Sequence, residues 1–323
     1  MKIKISDAEE LAKSALQRLG YNASNAAIIA HHVIDSELRG YSSAGLARIL
    51  SIRDRLSEKE LRQEVVVTRE SPATMQLDGQ DSVGYLVARR ATDEVIRKAR
   101  TVGIGIVGAN NTWYTGMLAY YAEMAAKSDL VTIIASNTSP WVAASGGYRP
   151  IFGTNPFAIG FPSSKTPVIY DIGTSKILHA DVLLAQRLGT ELPAESAYNA
   201  KGEFTKNPVE ALEGAIAVWG GHRGSGLALA VQLLGVLAGS PALPANLEDF
   251  GFLIIAVNPA NFQPIERFKE EIDHFAKSMK ESPPLNSDSP LRVPFERSTA
   301  LRARNVSLGE FEVEDRVVEM LRG

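Results

Sequence analysis

Leu130-Val131-Thr132-Ile133-Ile134-Ala135-Ser136-Asn137-Thr138-Ser139-Pro140-Trp141 opens the stretch on which the reading of this chain turns, and the stretch runs on to Ser175. Val131 to Ala135 is an apolar, β-branched run of the kind that forms a buried strand. Ser136 to Trp141 reads as a polar loop, and Ser145-Gly146-Gly147 follows it. Gly153-Thr154-Asn155-Pro156 then leads into a second strand, Phe157 to Phe161. A third strand, Val168 to Tyr170, ends on Asp171-Ile172-Gly173-Thr174-Ser175. Hydroxyls, amides and glycines thus gather at neighbouring strand ends. Glycine has no Cβ, so backbone N–H groups there can come close to a nucleotide or another anion. Ordinary tight turns use the same residues.

Around this centre the composition is that of a globular protein. The 323 residues are 45% hydrophobic and 22% charged, enough to bury a large core and to form two domains. A net charge of −3 gives no electrostatic basis for binding nucleic acid or an anionic membrane. No apolar run approaches the roughly 20 residues that span a bilayer. The start, Met1-Lys2-Ile3-Lys4-Ile5-Ser6, lacks the apolar segment of a secretory signal. The absence of cysteine excludes disulfides, thiol nucleophiles and thiolate metal sites. These features point to the cytoplasm.

Toward the N-terminus, Ser6-Asp7-Ala8-Glu9 has the spacing of a capping box for a helix that stops at Gly20. A second helix is expected over 25–39, with His31 and Asp35 one turn apart as a surface pair. Ser42-Ser43 precedes an Arg-rich helix that carries Arg48 one turn inside. Strands near 65–68 and 75–77 and a helix over 82–100 follow. Gly103-Ile104-Gly105-Ile106-Val107-Gly108 spells G-x-G-x-x-G. A dinucleotide fingerprint needs a strand before it and a helix opening within it. Here the glycines alternate with isoleucines inside a strand, so that reading is rejected. Asn110 to Gly116 turns into a helix over 117–127, and another helix is expected over 176–188. Gly220-Gly221-His222-Arg223-Gly224 opens an apolar helix over 227–237, a reasonable phosphate cradle. It lacks the Lys-Ser/Thr of a P-loop. A strand over 252–257, a charged helix over 264–280, a Pro-rich linker over 282–290 and a last helix over 312–322 complete the chain.

Taken in this order, the sequence resembles the malate/L-lactate dehydrogenase family of NAD(P)-dependent oxidoreductases, which includes sulfolactate dehydrogenases and cyclic ketimine reductases. The likeness spans nearly the whole chain. It rests on Glu37-Leu38-Arg39-Gly40, Gly146-Gly147, Phe152 to Pro156, Asp171 to Ser175, Gly220 to Gly224 and Pro294-x-Glu296-Arg297. The resemblance implies an α/β (α+β) fold in which a non-Rossmann cofactor domain, 116–289, is built on a mainly antiparallel sheet. It also implies a helical domain made from both chain ends, 1–115 with 290–323, and a homodimer. Arg48 matches the arginine that holds the substrate carboxylate, and Ser139 a second substrate contact. Thr138, Ile172 to Ser175 (with Gly173 and Thr174), His222, Arg223, Pro294 and Glu296 match contacts to NADPH or NADH. A planar guanidinium can grip a carboxylate bidentately and so fix the neighbouring carbon for hydride delivery. Lys176, His179 and Arg223 are candidates for a 2′-phosphate.

The departures bear on the chemistry. The family's Ser-His-Gly reads Ser43-Ala44-Gly45, and its second histidine is replaced by Tyr114. Its Pro-Gly-Glu reads Pro294-Phe295-Glu296, which adds bulk beside the expected cofactor. Reduction of a ketone develops alkoxide charge, and a positioned proton donor accelerates it about 10²–10⁴-fold. An iminium already carries its proton. Loss of the histidine therefore favours a cyclic C=N substrate bearing a carboxylate. The competing readings are a 2-oxo acid or 2-hydroxy acid dehydrogenase with Tyr114 or Ser43 as the acid, and a cofactor-binding relative of lost or changed activity.

Overall fold

The computed structural model describes residues 1–286 and 288–323. Val131–Ser136 pairs antiparallel with Phe157–Phe161, which pairs antiparallel with Val168–Ile172. Ile134, Ala158 and Ile169 are buried in the same core, so the alternation of the opening stretch fixes which face of the sheet is covered. These are the last three strands of a seven-stranded sheet. Its order is Val66–Glu70, Thr74–Val83, Ile104–Trp113, Phe250–Val257, then the three already named. Thr74–Val83 runs parallel to Ile104–Trp113 through the crossover helix Gly84–Val102, while the other neighbouring pairs are antiparallel. The sheet is mixed and mainly antiparallel, as expected, but three of its strands lie within 1–115, the segment expected to belong to the helical domain.

Gly105 and Gly108 sit inside the Ile104–Trp113 strand. A Cβ on Gly105 would lie 2.6 Å from the Val95 carbonyl, and one on Gly108 would lie 2.5 Å from the Gln76 side chain. These glycines admit close packing against the strand. They do not open a phosphate loop.

A second core gathers both chain ends. Ile3, Leu16, Ile29 and Val33 pack with Val317, Val318 and Leu321, and Lys2–Lys4 pairs with Glu310–Glu312. That pairing displaces the expected capping box. The Ile5 N–H donates to the Gly309 carbonyl at 3.0 Å, so the helix Ile5–Arg18 begins two residues early and Ser6 lies within it. The surface pair expected for His31 is also absent. Asp35 is buried and bonded to Arg39 (2.6 Å) and Arg302 (2.5 Å), while His31 Nδ1 meets the Tyr120 hydroxyl at 2.7 Å. Arg39 is completed by Glu123 at 2.9 Å. This buried network joins the helices Ala23–Leu38 and Leu118–Ala126.

Near the C-terminus the structure holds a helix, Glu296–Leu308, that the sequence reading omits, and the last helix is shorter than expected, Asp315–Arg322. Of the Glu296–Leu308 residues only Ser298 is buried, so the segment carries little apolar periodicity to read. The glycine-rich segment is helical sooner than expected, from His222 to Leu237. The linker lies between the helix Ile265–Glu281 and Glu296, and Ser287 within it lies outside the described residues. Among the described residues no helix is long and apolar enough to cross a membrane.

Candidate active site

Arg48 reaches its place through a tight turn over a buried carboxyl. The Glu37 side chain accepts from the Leu46 N–H at 2.7 Å. A Cβ on Gly45 would meet Glu37 Oε1 at 2.3 Å, so only glycine lets the chain cross there. The short helix Ser42–Ala44 then feeds the helix Ala47–Leu56, with Arg48 in its first turn. Burial pushes the Glu37 carboxyl up to about 8, with the Leu46 bond opposing the rise. The folded state thus keeps a proton that the unfolded chain gives up above about 4.5. Stability from this group is fullest below that value and is lost as pH rises toward about 8, at about 1.4 kcal/mol per pH unit. Glu37→Gln is expected to flatten the decline of Tm between pH 5.5 and 8; equal slopes in variant and parent would contradict this assignment.

Tyr114 comes from the other side. The Ile104–Trp113 strand ends, Tyr114 adopts a left-handed φ of +51°, and Gly116 follows at +77°. Such a conformation is costly for tyrosine and is retained where the surroundings enforce it. His32 helps to enforce it: its Nε2 accepts from the Met117 N–H at 3.0 Å. Burial pushes His32 down to about 3, which keeps that nitrogen an acceptor. The Arg48 guanidinium lies over the Tyr114 ring, 4.4 Å from its centroid.

The strand ends close the remaining wall. Thr138 Oγ1 accepts from the Thr154 N–H at 3.2 Å, and a Cβ on Gly153 would lie 2.1 Å from that hydroxyl. Thr174 donates both its N–H (2.8 Å) and its hydroxyl (3.1 Å) to the Thr154 carbonyl. Trp219 Nε1 donates to the Gly173 carbonyl at 2.7 Å. Asn155 Nδ2 donates to the Ala228 carbonyl (2.9 Å) and to Gln232 (2.8 Å), both on the His222–Leu237 helix. The opening stretch and the glycine-led helix are therefore one assembly.

A cavity of about 360 Å³ lies between these parts, lined by Ser43, Ala44, Arg48, Tyr114, Thr138, Ile172 and Gly173 among others. Sequence reasoning placed no catalytic role on four more lining residues: Trp141, Thr154, Asp171 and His179. His179 begins the helix His179–Leu188, and its ring stacks on Trp141 at 3.8 Å. Burial pushes it down to about 3, helped by Arg48 and Arg187. Only its place after Asp171 to Ser175 hinted at this. Burial pushes Asp171 up to about 6, but its carboxyl accepts from the Ala119 N–H at 2.7 Å and from Leu118.

Other expected residues lie apart from this cavity. Ser139 is buried, accepts from the Leu247 N–H at 3.1 Å, and lines an adjoining chamber instead. Ser175 is buried and its hydroxyl has no partner among the described residues. His222 and Arg223 are exposed in the first turn of their helix, behind Gly220 and Gly221. Pro294 and Glu296 line a separate groove, where Glu296 is held by Lys280 at 2.9 Å. Phe295 takes a φ of +74° and puts its ring under Arg39 at 4.6 Å. Its bulk goes into packing and does not enter the cavity.

Fold and site together define a class: an α/β protein with a cavity at the strand ends of a mainly antiparallel sheet and Arg48 on its wall. The malate/L-lactate dehydrogenase family model matches residues 3–322. L-sulfolactate dehydrogenase of Methanocaldococcus jannaschii is 33% identical over 294 residues, covering 88% of this chain and 86% of that one. Its solved structure superposes with a TM-score of 0.86 at 31% identity, covering 99% and 95% of the two chains. A dehydrogenase from Sinorhizobium meliloti superposes at 0.91 with 28% identity, over 100% and 97% of the chains. Delta(1)-pyrroline-2-carboxylate/Delta(1)-piperideine-2-carboxylate reductase of Pseudomonas putida is 27% identical, covering 85% of each chain. The chain belongs to the malate/L-lactate dehydrogenase family. It is an NAD(P)-dependent oxidoreductase, and an orphan Ser175 hydroxyl beside glycine-edged strand ends suits such a cofactor.

Proposed function

We propose that this enzyme reduces a C=N bond beside a carboxylate, in a cyclic ketimine of the pyrroline- or piperideine-2-carboxylate type, with NADPH or NADH as hydride source. The observation that carries this reading is the company of Arg48. The buried arginines Arg39 and Arg55 are paired with carboxylates at 2.9 Å or less. Arg48 lines the cavity with no ion pair among the described residues, and its guanidinium lies over the Tyr114 ring. A substrate carboxylate would complete it.

Of the titratable groups lining the cavity with Arg48, Asp171 alone is pushed toward neutrality, to about 6, and its carboxyl is taken up by the Ala119 and Leu118 N–H groups. Ala44 stands where the resemblance implies a histidine. Burial raises Tyr114 above the usual phenol range, Arg48 only partly opposing it, and His179 is held neutral. A bound dihydronicotinamide supplies the hydride. Arg48 would hold the carboxylate, and Tyr114 and Trp141 would flank the ring that carries the cationic nitrogen, a contact worth about 0.5–2 kcal/mol. The iminium nitrogen takes the electron pair of its C=N bond and needs no proton from the protein.

The higher identity of the sulfolactate dehydrogenase favours a second reading, a 2-hydroxy acid dehydrogenase with Tyr114 or Ser43 as the acid. Kinetics with Δ1-pyrroline-2-carboxylate and Δ1-piperideine-2-carboxylate in the reducing direction, against sulfolactate and malate in the oxidising one, separate the two. The ring imines are expected to give the higher kcat/KM; turnover of the hydroxy acids alone would reverse the choice. Of the 2′-phosphate candidates, Lys176 donates to the Glu195 carbonyl at 2.9 Å and His179 lies in the cavity. Exposed Arg223 is left to favour NADPH. Leu229, Leu233 and Leu237 form an exposed stripe on the His222–Leu237 helix, 51%, 56% and 70% accessible, which supports a homodimer.

A further inference from the structure

We propose that Tyr85 is a positioning residue: its buried hydroxyl, which lacks a hydrogen-bond partner among the described residues, accepts from the Arg48 guanidinium once a substrate carboxylate draws that guanidinium into its working orientation. This rests on the reading of Arg48 given above. Tyr85 is the second residue of the Gly84–Val102 helix and is 1% exposed. Its ring has little freedom. The His32 ring meets it edge-on at 4.7 Å, and a Cβ on Gly116 would lie 2.5 Å from its Cε1.

The hydroxyl is therefore held in place, and it is an orphan. Arg48 is the cation beside it: burial pushes the Tyr85 phenol up to about 12, and Arg48 opposes that rise by its charge and by the approach of its N–H groups, which stop short of hydrogen-bond geometry. His32, Tyr114 and Tyr121 are its other titratable neighbours; burial keeps the imidazole neutral and both phenols protonated. A guanidinium resting on the Tyr114 ring is free to slide across it, because a ring face is a broad electrostatic target. A fixed oxygen at the guanidinium edge gives it a direction, and the opposite edge then presents its forked N–H pair to the carboxylate. In the ligand-free protein the unsatisfied hydroxyl is a cost to stability, accepted for orientation.

Tyr85→Phe tests this through two readouts that move in opposite senses. Removing an orphan hydroxyl should leave Tm unchanged or raise it. KM for the carboxylate substrate should rise about tenfold, the scale of a hydrogen bond to a charged group, with kcat and NAD(P)H affinity kept. In the Tyr85→Phe/Arg48→Met double variant, KM should be no higher than in Arg48→Met alone. If Arg48→Met raises KM and Tyr85→Phe does not, Tyr85 is merely packed there and the inference fails. A lowered Tm with kcat and KM both impaired would likewise overturn it. If Arg48→Met itself leaves KM unchanged, the failure lies with the reading of Arg48.

Discussion

Arg48→Met is expected to raise KM for the carboxylate substrate roughly 10–150-fold while NAD(P)H affinity stays unchanged. The range corresponds to a lost hydrogen bond to a charged group, about 1.5–3 kcal/mol. Methionine fills much of the volume without the charge, and no protein carboxylate is left stranded, because Arg48 has no ion-pair partner among the described residues. The fold should therefore be little affected. The contrast is Arg39, whose removal would leave Asp35 and Glu123 buried and short of a partner. Steady-state kinetics with a fluorescence titration of NAD(P)H separate the two affinities. An unaltered KM would make Arg48 an ordinary residue of the cavity wall.

The second large effect divides the substrate classes. With a ring imine, Tyr114→Phe should cost little in kcat, since the phenyl ring keeps its face toward Arg48 and the substrate brings its own proton. With a 2-hydroxy acid under the second reading, the same change should lower kcat about 10²-fold or more, as loss of a general acid or base does. Ala44→His should raise activity only in that case. With the ring imine, activity should decline as pH rises through the iminium pKa of the substrate, because Tyr114 lies above that range and His179 well below it. A hundredfold loss of kcat in Tyr114→Phe with a ring imine, binding intact, would sink the C=N reading.

Much of this site is legible in the sequence because its strands are strongly patterned. Val131 to Ala135 and Phe157 to Phe161 pair as their alternation demands, and the rejected G-x-G-x-x-G is a strand packed on a helix. Ser43, Arg48, Tyr114, Thr138, Ile172 and Gly173, far apart in the chain, line one cavity. What escaped notice depends on tertiary contact. His179 reads as a candidate for a 2′-phosphate, and its stacking on Trp141 in the cavity wall shows only in the fold, while Tyr85 is one more helix residue until Arg48 lies beside it. The Glu296–Leu308 helix is too exposed to show a period. The Lys2–Lys4 strand moved a helix start that local capping rules assign to Ser6.

The most direct test of the central claim is a crystal structure with NADP⁺ and proline, the product expected from Δ1-pyrroline-2-carboxylate. The carboxylate should lie on Arg48 with the ring between Tyr114 and Trp141. The nicotinamide should reach the same cavity past Thr138 and Ile172 to Ser175, and the pyrophosphate should lie near His222 to Gly224. A carboxylate bound away from Arg48, or a pyrophosphate on Gly103 to Gly108, would contradict the account.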